Sequence, residues 1–368
     1  MIEMLVDWIK SLGWNPGFFR IFDYITFRVM MAALTALVVE LLFGHLFIVF
    51  LYRRRFRDTG GEYLSLDTHS KRGTPTGGGL MILLAAGVAL VLWGRLGNPY
   101  LYGAASAFFY FGLVGWFDDW QKVRFKSSLF GLGQAAKTLL QLAYIVPFAY
   151  WLVSAFSPLP AACRTTFFLP FARGVAYDAG PWIFGAFVAF AFFSIVNSVN
   201  ITDGMDGLVS GPAVMTAALY GAFAYILGNV NFSRYLFFPL FPDIGELAIF
   251  AGALIGGVIG FLWFNAYPAE IFMGDTGSMA IGAGLAAMAF LTRQEMLFPV
   301  VGGVFVASIT SSLIQEKIGM RVGRRIFLRA PLHHGQAYKG IAEPKVVVRY
   351  WIVSLILALI AALSIKVR

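Results

Sequence analysis

Asn197-Ser198-Val199-Asn200-Ile201-Thr202-Asp203-Gly204-Met205-Asp206-Gly207 separates two apolar runs, 182–196 and 208–227. Asn197, Asn200, Asp203 and Asp206 recur at steps of three. Where a helix end runs into a turn, that spacing sets polar groups on one side. Gly204 and Gly207 permit a tight turn and a close approach of backbone to ligand. Two carboxylates and two amides are costly beside hydrocarbon, so a mere connector between membrane helices is the weaker reading. The stretch reads as one wall of a polar site at a membrane face, with other stretches supplying the remaining walls.

Outward from it, apolar stretches of about 17–25 residues repeat, the length that crosses a bilayer. Of 368 residues, 59% are hydrophobic and 13% charged, and the mean hydropathy is +0.75. That balance excludes an ordinary soluble globule. The expected fold is an all-α integral membrane protein in which residues 1–368 form a single polytopic domain. About ten transmembrane helices are expected, near 25–52, 77–94, 100–117, 135–156, 182–199, 211–228, 245–263, 279–293, 297–318 and 346–365. No positively charged leader with a cleavage site precedes them. Residues 1–24 carry Trp8, Trp14, Phe18 and Phe19 among polar residues, which suits a short interfacial segment. The loop 157–181, rich in proline and aromatics, suits a small hairpin. Glu40 and His45 lie inside the first span, where packing explains them as well as function does. A single cysteine, Cys163, allows no internal disulfide and lies far in sequence from any histidine or acid cluster.

The net charge of +9 could suggest nucleic acid, but the bases cluster on alternate loops between apolar runs. Loops 53–76, 118–134 and 319–345 hold most of them, and 200–210 and 264–278 fall on the same side. The positive-inside rule makes these five loops cytoplasmic and both termini periplasmic, with no nucleic-acid partner.

Every dense group of acids, amides and histidines falls on that face. Ser70-Lys71-Arg72-Gly73-Thr74-Pro75-Thr76 precedes three glycines, so cations and hydroxyls at a helix start can hold an anion or anchor lipid headgroups. Asp118-Asp119 at a helix end repel unless a cation sits between them, and can bind a divalent ion or act as general base. Lys122 and Lys126, four apart, share a helix face suited to phosphate oxygens. Gly274-Asp275-Thr276-Gly277 resembles an N-cap with a tight turn, and also sets a carboxylate where a metal-bound phosphate could meet backbone N–H groups. Asn265 and Phe272 precede it, the ring offering a stacking face to a base. His333 and His334 suit phosphate binding better than zinc, for which no cysteine is at hand. Together the groups suit transfer of a phosphate-linked unit from a soluble nucleotide to a lipid phosphate. Neither a P-loop nor GxGxxG is evident, which disfavours an ordinary NTPase. A cation-coupled transporter is a further class, but its binding groups usually lie near the bilayer midplane.

The motifs SKRGTPTGGG, FDDWQK, NSVNITDGMDG, FLWFNAYPAEIFMGDTGS and RRIFLRAPLHHG, then EPKVVVRYWIVS, occur in an order and wording that resemble the phospho-N-acetylmuramoyl-pentapeptide-transferases over nearly the whole chain. The resemblance implies a dimeric bacterial inner-membrane enzyme with its active site facing the cytoplasm. Such an enzyme passes phospho-MurNAc-pentapeptide from UDP-MurNAc-pentapeptide to undecaprenyl phosphate, yielding lipid I and UMP, and requires Mg²⁺. A sister enzyme acting on UDP-GlcNAc shares the same chemistry.

By that resemblance Asp118, Asp119, Asp203 and Asp275 match the catalytic acids, with Asp275 the metal ligand. Lys71, Gly204, Met205, Asp206, Asn265, Phe272 and Gln315 match positions lining the nucleotide pocket, and His333 and His334 match two of three histidines. Lys122, Lys126, Asn197 and Asn200 are taken with them as substrate-binding. Gly335 stands where the third histidine is expected, and Gly77 where a methionine is. Direct attack, with Asp118 taking or excluding the proton of the lipid phosphate, and a two-step route through a phospho-aspartate both fit.

Overall fold

The computed structural model describes residues 1–12, 17–54, 56–57, 73–125, 131–172 and 176–367, so Lys71 and Lys126 lie outside the described residues. The N-terminal segment contains helix α1 (Ile2–Ser11). Helices then match the expected spans: α2 (Ile25–Arg53), α3 (Gly79–Trp93), α4 (Pro99–Arg124), α5 (Gln134–Val153), α6 (Gly180–Thr202), α7 (Ser210–Gly228), α8 (Gly245–Asn265) and α9 (Gly274–Leu291). The run expected at 297–318 is two pieces, Glu295–Val301 and Gly303–Val322, bent by 82°. Pro299 and the Gly302-Gly303 pair at the break explain the bend. Helix α10 (Gly303–Leu313) begins the second piece, which passes through a π-helical turn at Ile314–Gly319. A short α11 (Leu332–Tyr338) and the last span, α12 (Glu343–Val367), follow.

Among the described residues seven helices, α2, α4, α5, α6, α7, α8 and α12, are long and apolar enough to cross a membrane, or eight where the bent pair is one span, against the ten expected. The chain is an all-α membrane protein. Among the described residues the one sheet is a two-stranded hairpin, β1 (Thr166–Phe168) against β2 (Ala176–Asp178), inside the proline-rich loop.

Helix α9 is the axis of the bundle. Every residue from Thr276 to Leu291 is buried, and half of its 18 residues are Gly or Ala. Lipid is as apolar as leucine, so membrane helices associate through close van der Waals packing, which small residues allow. Gly79 of α3 presses on the backbone of Gly277, and Gly115 of α4 presses on the backbone carbonyl of Asp275. A Cβ at either position would overlap main chain, which cannot give way as a flexible side chain would. Helix α8 packs against α2 in the same way, with Gly252 and Gly256 over the carbonyls of Val29 and Ala33. The outer face of α2 leaves Leu42, Phe43 and Leu46 exposed, as a lipid-facing surface requires. Glu40 instead is buried beside Gly260, and His45 is exposed.

At the end of the bundle away from the acid cluster, buried Arg28 pairs with Glu246 at 2.5 Å, and Glu246 also accepts the Arg95 N–H at 2.9 Å. That pair ties α2 to α8 and to the turn after α3.

The glycine packing makes a prediction. Gly115→Ala changes no charge but drives a methyl into the first turn of α9. Overpacking of this kind costs about 1–3 kcal/mol or more. Displacing Asp275 should lower turnover by roughly tenfold to a hundredfold. Thermal unfolding in detergent and turnover, measured together, should both fall; parent values on both would contradict the packing described.

Candidate active site

Helix α4 runs past the expected boundary to Arg124, so Asp118, Asp119 and Lys122 all sit on its last turns. Asp118 and Lys122, four apart, form an ion pair of 2.6 Å. The other Asp118 oxygen accepts the Leu132 N–H at 2.7 Å. Asp119 faces the start of α9. It accepts the N–H groups of Asp275 (3.1 Å) and Thr276 (2.9 Å) and the Thr276 hydroxyl (2.6 Å). The first N–H groups of a helix lack intrahelical partners. No side chain of α9 itself caps its first turn, so the Gly-Asp-Thr-Gly motif is not self-capped; Asp119 supplies the cap from α4. Gly274 turns the chain at φ +71°, and a Cβ there would lie 2.5 Å from an Asp119 oxygen.

With its helix capped from outside, the Asp275 side chain is left to face the cluster. One of its oxygens receives Lys137 at 2.6 Å and Lys122 at 2.9 Å. The other receives the Asn200 amide at 2.8 Å, which also reaches the Ser278 hydroxyl at 2.8 Å. Asn197, one turn earlier on α6, donates to Gln141 of α5 at 2.8 Å. Asp203 follows at the end of α6. Burial, then the charges of Asp275, Asp119 and Asp206, push its carboxyl up to about 8, with Lys122 opposing.

One oxygen each from Asp118, Asp119 and Asp275 lies within 4.8 Å of the others. Four carboxylates, Asp203 included, therefore share two ammonium groups, Lys122 and Lys137. One negative charge is left over while Asp203 holds its proton and a second appears when it ionises, which with hard oxygen donors suits a divalent cation. Both Asp119 oxygens hold backbone N–H groups of α9, whereas the Asp275 carboxylate meets only side chains, so Asp275 is the better ligand.

A second group knits the turn after α6 to the loop before α9. The Asp206 carboxylate accepts the Ala269 N–H at 3.1 Å, and Glu343 accepts the Asp206 N–H at 2.8 Å. Asn265 accepts the Gly207 N–H at 2.9 Å and donates to the Ile271 carbonyl at 2.8 Å. Met205 is buried in a small apolar cluster with Leu208, Val346 and Val347. Phe272 is half-buried, its backbone bonded to Pro75 and Gly78. Gly204 is where the histidines dock: a Cβ there would lie 2.6 Å from the His333 Nε2 and 2.8 Å from that of His334. His333 is fully buried, and burial with the neighbouring His334 pushes its imidazole down to about 3, so it is neutral at physiological pH. Gln315 lies on the π-helical turn and accepts the N–H groups of Ile326 and Phe327 at 3.1 and 3.0 Å.

The structure thus brings Asp118, Asp119, Lys122, Asn200, Asp203 and Asp275 to one place, bonds Asn197 to Gln141 one helical turn before Asn200, and sets Gly204, His333 and His334 beside the cluster. Lys137, Gln141, Thr276 and Glu343 were not singled out from sequence. Lys137 and Gln141 were counted as part of an apolar span, yet a lysine one turn inside such a run is itself a signal of function.

Comparison with known proteins sets the class. Residues 101–293 match the model of Glycosyl transferase family 4. The chain is 43% identical to the phospho-N-acetylmuramoyl-pentapeptide-transferase of Desulfotalea psychrophila, over 95% of this chain and 96% of that one. It is 40% identical to the protein of the same name in Desulfovibrio desulfuricans, over 99% of this chain and 100% of the other. The chain belongs to the phospho-N-acetylmuramoyl-pentapeptide-transferases, within Glycosyl transferase family 4.

Proposed function

We propose that this chain transfers phospho-MurNAc-pentapeptide from UDP-MurNAc-pentapeptide to undecaprenyl phosphate, forming lipid I and releasing UMP. The observation that carries the reading is the meeting of four carboxylates and two lysines at one end of a membrane bundle, in a member of this family. Asp275 would hold Mg²⁺, which when bound supplies charge neutralisation at the pyrophosphate and the departing UMP. Asp118 takes the proton of the lipid phosphate or keeps it ionised, and the freed oxygen attacks the β-phosphate of the sugar nucleotide. Lys122 and Lys137 pass from Asp275 to phosphate oxygens, and Lys71 and Lys126 serve the same substrate phosphates. Asn200 orients Asp275, and Asp119 acts by holding the start of α9. Asp203 sheds its proton as positive charge arrives. His334 meets phosphate, with His333 packed beneath it against Gly204.

Phe272 supplies the stacking face for uracil. Asn265 and Asp206 are bonded to backbone, so they shape that pocket through the two loops they join. A base–aromatic stack is worth about 1–3 kcal/mol. Phe272→Ala should weaken UDP-sugar binding about fivefold to a hundredfold while lipid-phosphate binding stays near the parent value. Unchanged nucleotide affinity would reject this role.

The site faces the cytoplasm of a bacterial inner membrane, and the enzyme is a homodimer, as family resemblance implies. The basic loops support the sidedness. In cells carrying the chain without Cys163, Gly133→Cys should resist an impermeant thiol reagent applied outside; labelling from outside would reverse the topology. To separate this reading from a UDP-GlcNAc enzyme, purified protein is given undecaprenyl phosphate, Mg²⁺ and each sugar nucleotide in turn. UMP should form from UDP-MurNAc-pentapeptide. Release from UDP-GlcNAc alone would overturn the substrate assignment.

A further inference from the structure

An open groove of about 540 Å³ lies between α11 and α12, lined by Gln336, Lys339, Ile341, Arg349, Tyr350, Ile352 and Val353. Its composition divides by position. Lys339 and Arg349 are exposed, Gln336 and Tyr350 are half-buried, and Ile341, Ile352 and Val353 supply the apolar part of the lining. From Ile352 and Val353 the apolar side chains continue along α12 as Ile356, Leu359, Ile360 and Leu363, each 42–60% exposed. That spacing is one helix face. It is the surface of a span long and apolar enough to cross a membrane.

The two positive charges are uncompensated. Among the described residues neither Lys339 nor Arg349 has an ion pair or side-chain hydrogen bond. The nearest acid in sequence, Glu343, accepts the Asp206 N–H instead. Lys345 is exposed on the same short segment, and Arg329 lies over the Tyr338 ring. Two unpaired cations above an apolar stripe complement an amphiphile with an anionic phosphate head and hydrocarbon chains. We propose that this groove binds an anionic phospholipid of the surrounding leaflet, its phosphate on Lys339 and Arg349 and its acyl chains along α12. A bilayer lipid fits better than the acceptor substrate, because the His333 ring stands against Tyr350, with centroids 6.3 Å apart, on the side of the groove toward Gly204 and Asp203.

The site has a consequence for α11. Gln336 lies one turn after His333, so a lipid bridging α11 to Arg349 would hold the histidines in place beneath Gly204. The test reads binding and does not depend on the transferase reading. Fluorescent phosphatidylglycerol and phosphatidylcholine are titrated against the full-length protein in detergent, for the parent and for K339Q/R349Q. A basic residue near an anionic surface contributes about 1 kcal/mol, or roughly fivefold. Phosphatidylglycerol should bind saturably and in preference to phosphatidylcholine, and the double variant should bind it roughly 25-fold more weakly. Both side chains are exposed, and an unchanged thermal transition confirms that the variant folds. R53Q/R54Q, with the same charge change elsewhere, should keep the parent affinity. Equal binding of the two lipids, parent-like binding by K339Q/R349Q, or an equal loss in R53Q/R54Q would overturn the proposal. So would stoichiometric displacement of phosphatidylglycerol by undecaprenyl phosphate, which would give the groove to the acceptor.

Discussion

Asp275→Asn is expected to lose divalent-cation binding and turnover together, with turnover falling roughly a thousandfold or more. The amide keeps the shape of the side chain and can still meet Asn200. It cannot hold the charge that Lys137 and Lys122 share at 2.6 and 2.9 Å. Capping of α9 by Asp119 uses the Asp275 backbone, not its side chain, so the fold should survive. The cation dependence should also carry a pH signature. Asp203 is raised to about 8 by burial and by neighbouring carboxylates, so below that pH it holds a proton that an arriving cation must displace. Apparent cation affinity should therefore rise with pH toward about 8 and flatten above it, up to tenfold per unit for one displaced proton. Mg²⁺ titrations of parent and variant, followed by calorimetry and by turnover across pH 6–9, check both parts. A variant that binds the ion normally, or a parent affinity flat from pH 6 to 8, would contradict the assignment.

Asp118→Asn should separate binding from rate. Its carboxylate has one oxygen on the Leu132 N–H and the other on Lys122, and it serves no helix cap. Cation and nucleotide binding should persist, while turnover falls roughly 10²–10⁴-fold, as for loss of a general base. Asp119→Asn gives the contrast. Three donors converge on the Asp119 carboxylate, and an amide would turn an N–H₂ group toward one of them. That change should cost about 1–3 kcal/mol of stability along with activity. Single-turnover rates beside equilibrium binding distinguish the two variants. If Asp118→Asn turns over near the parent rate at neutral pH, direct attack assisted by Asp118 is wrong. A phosphorylated Asp275 trapped on the enzyme would put the two-step route in its place.

Much of this architecture can be read from hydropathy alone. Helices occupy the expected runs because a long apolar run in lipid must satisfy its backbone internally, although among the described residues seven, or eight with the bent pair, and not ten, are long and apolar enough to cross. The polar wall from Asn197 to Asp206 was legible because helix spacing and glycine turns are local. What sequence left hidden is relational. That Asp119 caps α9 depends on two helices meeting where Gly115 and Gly79 remove side chains. Lys137 and Gln141 were hidden inside a run whose average is apolar. Asn265 looked free to meet a ligand, yet both ends of its amide are bonded to backbone from two loops. The 82° break reads as a continuous span until Pro299 and the Gly302-Gly303 pair are weighed together.

The most direct measurement is UMP release by purified protein given UDP-MurNAc-pentapeptide, with undecaprenyl phosphate and Mg²⁺ each supplied or withheld. Four carboxylates sharing two lysines need added positive charge before an anionic nucleotide and a lipid phosphate can meet there. Release should require both additions, disappear with chelator, return with Mg²⁺, and be absent in Asp275→Asn. UMP formed at the parent rate without lipid phosphate, or undiminished in chelator, would contradict a cation-dependent transferase built on this acid cluster.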